Sequence, residues 1–128
     1  MKSIQSYRDL IVWQKALDLA VRLYPLLKRF PPEERYGLSD QIRRAAVSIP
    51  ANIAEGQARH HRKEFVQGLY IARGSLAELD TLLLAARQLG YLDPSSHQEL
   101  EGRIGEVRKM LQGLLNRLAT RPPLNPGH

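Results

Sequence analysis

The side chains of this sequence that could do chemistry are concentrated between Gln41 and Arg59, in the stretch QIRRAAVSIPANIAEGQAR. Steps of three and four residues place Gln41, Ala45, Ser48, Asn52, Glu55 and Arg59 along one side of a helix, so hydroxyl, amide, carboxylate and guanidinium stack turn above turn. Two uses are open for this row. Ser48, Asn52 and Glu55 can satisfy backbone groups and a neighbouring helix, or they can hold a ligand or serve a reaction. Glu55, between Ile53 and Gly56, is expected to be partly desolvated and to need a partner, for which Arg59 one turn on is nearest.

The helix that carries the row has an apolar line, Leu38, Ile42, Ala45, Ile49, Ile53 and Gly56, that must be buried. Pro50 lacks an N–H and crowds the carbonyl of Ala46, a cost of about 3 kcal/mol in a regular helix interior. A kink is expected there, with the Ser48 hydroxyl or the Asn52 amide serving the freed carbonyl.

Three further helices surround this one. The first is expected from an Asp9 cap to about Arg29 and is apolar on two sides: Leu10, Trp13, Leu17, Ala20, Tyr24 and Leu27 form one line, and Val12, Ala16, Leu19, Leu23, Leu26 and Phe30 the other. Such a helix touches more than one neighbour. Arg8, Lys15, Arg22 and Arg29 recur every seven residues as its exposed stripe, which reads either as a solvated face or as a polyanion-binding one. Pro25 bends or shortens its end, and Phe30-Pro31-Pro32 stops it. Ser39 or Asp40 is then positioned to cap the helix of the polar row.

After the basic connection Ala58 to Lys63, a third helix to about Leu89 repeats Phe65, Leu69, Ala72, Leu76, Leu79, Leu83 and Ala86, the alternation of a bundle seam. Gly74-Ser75 is expected to admit a close backbone, with Ser75 and Glu78 on one side to answer Ser48, Asn52 or Arg59. Gly90 ends this helix, and Asp93-Pro94 caps and opens the fourth, which runs through Leu100, Ile104, Val107, Leu111, Leu114 and Leu118. Gly102, Gly105 and Gly113 each weaken it by about 1 kcal/mol, which calls for tertiary support or close packing. No strand-period segment is present. The fold expected is all-α, an up-down antiparallel four-helix bundle over residues 1–119, with a disordered proline-rich tail over 120–128.

Composition narrows the function. The 128 residues suffice for one domain with a real core. The absence of cysteine excludes disulfides, thiol catalysis and cysteine-based zinc sites and fits a reducing cytoplasm, where the chain is expected. The opening MKSIQSYRDL has no apolar h-region, so no secretory signal is expected. The longest uncharged run is ten residues, Ala45 to Ala54, about half a membrane span, so no membrane insertion is expected. The net charge of +6 arises entirely in residues 1–63, with twelve Lys/Arg against six Asp/Glu, which suggests a basic surface.

Catalytic and metal signatures are missing. There is no Glu-x-x-His for a ferritin-like site, no glycine-rich phosphate loop, no Gly-x-Ser-x-Gly and no His-Glu-x-x-His. His60 and His61 point about 100° apart on a helix and would not share a metal. An Arg-x4–6-His ribonuclease spacing occurs only between Arg121 and His128. No catalytic residue, metal or cofactor is therefore assigned.

The runs Tyr36-Gly37-Leu38, Gln41-Ile42, Arg43-Arg44-Ala45-Ala46 and Ser48-Ile49-Pro50-Ala51-Asn52-Ile53-Ala54-Glu55-Gly56, followed by Glu64-Phe65 and Ile71-Ala72-Arg73-Gly74-Ser75-Leu76-Ala77-Glu78-Leu79, resemble the four-helix-bundle proteins encoded in bacterial 23S rRNA intervening sequences. The likeness spans about Tyr7 to Leu118. It departs before helix three, where the family places a small hydroxyl residue and this chain has His61, which weakens the cap there. The resemblance implies a ring-shaped homopentamer and kinship with the basic accessory protein of diversity-generating retroelements, which binds nucleic acid beside a reverse transcriptase. For the family at large the molecular role is unsettled.

Three functions follow as expectations. The first is an oligomeric nucleic-acid-binding module without catalysis, with Arg8, Lys15, Arg22, Arg29, Arg43, Arg44, Arg59, Arg62 and Lys63 as phosphate contacts for RNA or DNA. The few aromatic residues point to backbone rather than base recognition. The second is a structural protein–protein adaptor with no nucleic-acid ligand. The third is an enzyme using Glu55 or Glu78 in a pocket. The cluster Ser48, Asn52, Glu55, Ser75 and Glu78 is expected in the bundle interior or at a subunit interface.

Overall fold

The computed structural model describes residues 5–119; the tail expected over 120–128 and the Arg121–His128 spacing lie outside them. Four helices, α1 (Ile11–Leu27), α2 (Leu38–Ala58), α3 (Arg62–Gln88) and α4 (Pro94–Ala119), pack as a bundle with no strand among the described residues. Each helix packs on its neighbours in sequence, and α1 against α4 closes the ring. Short connections make consecutive helices antiparallel, the up-down arrangement.

The core follows the predicted periodicities. Val12, Ala16, Leu19, Leu23 and Phe30 are buried, as are Ile42, Ala45, Ile49, Ile53 and Gly56 of α2, and the α3 row from Leu69 to Ala86. On α4 the buried line is His97, Leu100, Ile104, Val107, Leu111 and Leu115. The line from Leu10 to Leu27 follows only in part, with Ala20 and Leu27 buried and Leu10 and Trp13 packed against the core. Leu17 and Tyr24 are exposed, along with Val21 beside them, because the arc of α1 that faces away from α2 and α4 meets no neighbour within the protomer.

Several caps differ from expectation. Asp9 does not start α1; its Oδ2 accepts from the amides of Gln5 and Ser6, closing a capping box on a 3-10 turn, Tyr7–Asp9, and α1 begins at Ile11 without a side-chain cap. Neither Ser39 nor Asp40 caps α2. Glu34 does so from the preceding 3-10 turn, its Oε1 accepting from the Leu38 amide at 3.2 Å while its Oε2 accepts the Tyr91 hydroxyl at 3.0 Å. One carboxylate thereby ties the α1–α2 connection to the α3–α4 turn. Asp93 caps α4 as predicted, accepting from the Ser96 amide at 2.8 Å.

The helices approach most closely between α2 and α3, and not at Gly74. A Cβ on Gly74 would meet nothing within 4 Å, whereas one on Gly56 would stand 2.9 Å from the Glu64 carbonyl oxygen. The glycines of α4 are not close-packed either: around Gly102 and Gly105 there is open space. Their propensity cost is offset by the long buried row of α4 rather than by backbone contact.

Candidate functional site

The polar row of α2 splits into two parts. Ser48 and Ser75 share a hydroxyl–hydroxyl hydrogen bond of 2.8 Å, and Asn52 Nδ2 donates to Ser48 Oγ at 2.9 Å and to the Ser48 carbonyl at 2.7 Å. All three residues are half-buried along the α2–α3 seam. The Asn52 amide therefore serves Ser48 and not the carbonyl of Ala46. Among themselves these groups satisfy one another, the structural use of the row.

Glu55 and Glu78 stand outside this group and outside the bundle interior. Both are exposed, and Glu55, with its side chain 66% accessible, pairs with Arg59 at 3.8 Å. Each follows a seam residue, Asn52 or Ser75, by three positions. At about 100° per residue, three steps fall about 60° short of a full turn, enough to swing the carboxylate out to solvent.

The nine candidate cations do not form one face. Lys15 and Arg22 belong to an α1–α4 ladder: Lys15 Nζ lies 3.4 Å from Glu106, Arg22 Nε lies 2.9 Å from Asp18, and Arg103 reaches Asp18 at 3.2 Å and Glu99 at 3.5 Å. The hydrogen bond from Arg22 holds the Asp18 carboxyl below its ordinary value, helped by the charges of Arg22, Arg103 and Lys15. Much of the heptad stripe is thus neutralised by carboxylates on its own and the neighbouring helix. Arg29 is exposed beyond the end of α1. Arg43 and Arg44 both pair with Asp40 near the start of α2, at 3.3 and 3.0 Å.

Arg59, Arg62 and Lys63 surround the α2–α3 turn at the opposite end of the bundle, with His60 and His61 between them. Among the described residues no carboxylate lies within ion-pair reach of Arg62 or Lys63. Arg62 instead donates through Nη2 to the Leu118 carbonyl near the end of α4. His60 adopts φ of 60°, a left-handed conformation uncommon for a residue other than glycine, and this turns the chain sharply from α2 into α3. Leu10 and Arg62 line a common hollow, which brings Arg8 to this end, and Lys109 and Arg117 line the hollow beyond Leu10. These last two cations were missed because residues 64–128 are charge-balanced in sequence; only folding brings the final turns of α4 beside the α2–α3 connection.

A second residue missed is His97. It is 1% exposed, with Nδ1 3.4 Å from Arg87 Nη1 and 3.8 Å from Glu101, and its Nε2 has no protein partner. Its place three residues before Leu100 extends the buried α4 line by one turn, a signal available in the spacing. No cluster of three or more metal-ligating side chains occurs among the described residues. No helix there is long and apolar enough to cross a membrane.

A family model described as 23S rRNA-intervening sequence protein matches residues 8–113. Among solved structures, the chain is similar to a protein of unknown function from the S23 ribosomal protein family of Bacteroides thetaiotaomicron, at 27% identity and a TM-score of 0.76, covering 82% of this chain and 98% of that one. No curated protein matches it in sequence. With the matched stretch reaching from the 3-10 turn before α1 well into α4, the chain belongs to the 23S rRNA-intervening sequence protein family.

Proposed function

We propose that this chain is a non-catalytic, self-associating bundle that binds the phosphate backbone of nucleic acid through the bundle end around the α2–α3 turn. The observation that carries this reading is the charge at that end: Arg62 and Lys63 lack carboxylate partners, and Arg59 holds only a long, exposed contact with Glu55. Phosphate binding draws on cations that can release counterions, whereas Lys15 and Arg22 already face carboxylates. The zero cysteine count suits work in the cytoplasm, where RNA is met.

Self-association is supported by the apolar residues α1 leaves in solvent, Leu17, Val21 and Tyr24. Steps of four and three keep the α1 residues on one face, a surface of the kind that subunit contacts cover. A homopentamer and a reverse-transcriptase partner rest on the family resemblance alone. The same exposed face favours, as the second reading, an adaptor that binds only protein.

Fluorescence anisotropy of labelled single-stranded RNA, duplex RNA and duplex DNA over a salt series tests the proposal. An Arg59/Arg62/Lys63→Gln variant is expected to lose binding and to flatten the salt dependence, while a Lys15/Arg22→Gln variant keeps most of both. Absence of binding to all three at low salt would overturn the nucleic-acid reading in favour of the adaptor.

A further inference from the structure

Two hollows open at the basic end of the bundle, and Arg62 is a wall of both. The first, about 360 Å³, has an apolar floor of Leu10, Phe65, Leu114 and Leu118. The second, about 450 Å³, is walled by Val66, Tyr70 and Leu115, with Lys63 at its edge. Each is at the small end of the range for small-ligand sites, roughly 300–1,000 Å³.

The polar groups on their rims differ from those of a simple grease patch. Gln57, His60 and His61 line the first hollow and supply hydrogen-bond donors and acceptors beside its apolar floor. In the second, the Tyr70 ring is half exposed and the Arg73 guanidinium stands 4.8 Å above it, a cation–π platform. Between the two, exposed Arg62 donates through one nitrogen to the Leu118 carbonyl, and its other guanidinium donors have no protein partner among the described residues. Two apolar hollows with polar rims and one cation common to both follow the order of groups along a single strand: base, phosphate, base.

We propose that these hollows seat two consecutive unpaired bases of single-stranded nucleic acid, with Arg62 on the phosphate between them. This rests on the nucleic-acid reading above and deepens it from backbone attraction to base contact. The scarcity of aromatic residues in the sequence argued against base contact, but Phe65, Tyr70, His60 and His61 are gathered at one end of the bundle by the α2–α3 turn. An acyl chain with an anionic head would also find an apolar floor in either hollow, yet it would make no use of the rim amide and imidazoles or of two seats.

The test compares a twelve-nucleotide single-stranded RNA with an abasic ribose-phosphate strand of equal length and charge, at matched salt. Stacking and edge contacts at two seats are expected to make the base-bearing strand bind at least about tenfold more tightly. Tyr70→Ala, a change at an exposed ring, and Leu118→Ser, at the half-buried floor, should each shrink that ratio without altering abasic-strand affinity, with circular dichroism confirming that each variant is folded. Equal affinity for the two strands would overturn the base seats while leaving phosphate binding intact. Failure to bind either strand would overturn both proposals, and tight binding of dodecyl phosphate with no preference between strands would assign the hollows to an acyl chain.

Discussion

Gly56 of α2 and Gly68 of α3 meet backbone to backbone: a Cβ built on Gly68 would stand 3.1 Å from the Gly56 Cα and 2.6 Å from the Asn52 carbonyl oxygen. Both obstacles are main chain and cannot rotate away. Gly68→Ala must therefore push α3 off α2, at an expected cost of about 3 kcal/mol, the upper end for overpacking. Gly74→Ala, in open space six residues later, should instead stabilise by about 0.5–1 kcal/mol. Urea unfolding midpoints of the two variants are expected to move in opposite directions, and a neutral Gly68→Ala would contradict the close crossing.

The same seam shows how far the sequence could be read. Periodicity located the helices and their buried stripes, because a stripe is a property of one helix. It could not say which small residue on a stripe's flank meets a partner, since that depends on the rotation and crossing of two helices. Gly68, four residues before Ala72, lies on the flank of the α3 row, whereas Gly74, two residues from both Ala72 and Leu76, lies on the opposite side of the helix; the spacing separates these two, and only the position of α2 shows that Gly68 meets Gly56. Ser48 and Ser75 could be paired in advance because both occupy a flank near their apolar lines; Glu55 and Glu78 were over-read by the 60° a three-residue step leaves. The grouping of cations was legible only where they are adjacent in sequence, as from Arg59 to Lys63, and illegible for Lys109 and Arg117.

The Ser48–Ser75 bond should behave as a coupled pair. Ser75→Ala leaves the Ser48 hydroxyl bonded to Asn52, and Ser48→Ala leaves Asn52 bonded to the position-48 carbonyl, so neither single change orphans every group. A double-mutant cycle is expected to return a coupling of about 1 kcal/mol. A coupling near zero would mean that the two hydroxyls bond to water as well as to each other.

Stability should fall at both pH extremes through identifiable groups. Hydrogen bonds from the Ser96 amide and hydroxyl hold the Asp93 carboxyl below its ordinary 3.8. Its contribution is then complete above about pH 4 and lost as pH falls through the lower folded value. Asp93→Asn, which keeps a capping oxygen, should flatten the acid limb. Conversely, the hydrogen bond to Glu34 raises the Tyr91 hydroxyl above 10.0, so its contribution is present below that pH and lost as pH climbs through the folded value. Tyr91→Phe should flatten the alkaline limb only. Urea midpoints at pH 3, 7 and 10.5 would check both, and a variant that shifts the wrong limb would refute its assignment.

The exposed face of α1 offers a test of assembly that leaves the monomer intact. Leu17, Val21 and Tyr24 lie outside the core, with Val21 58% accessible, so Val21→Glu removes no buried contact and should leave the unfolding of an isolated subunit almost unchanged. If this face is covered by a second copy, the same substitution buries a carboxylate against apolar surface, which costs several kcal/mol at every interface in a closed ring. Sedimentation velocity is therefore expected to show the parent as an oligomer and Val21→Glu as a folded species of about 14.5 kDa. The basic end lies on a different part of the molecule, so single-site RNA affinity should survive dissociation while the avidity gained from several subunits is lost. An oligomer unaffected by Val21→Glu would place the subunit contact elsewhere and leave this face to a protein partner of another kind.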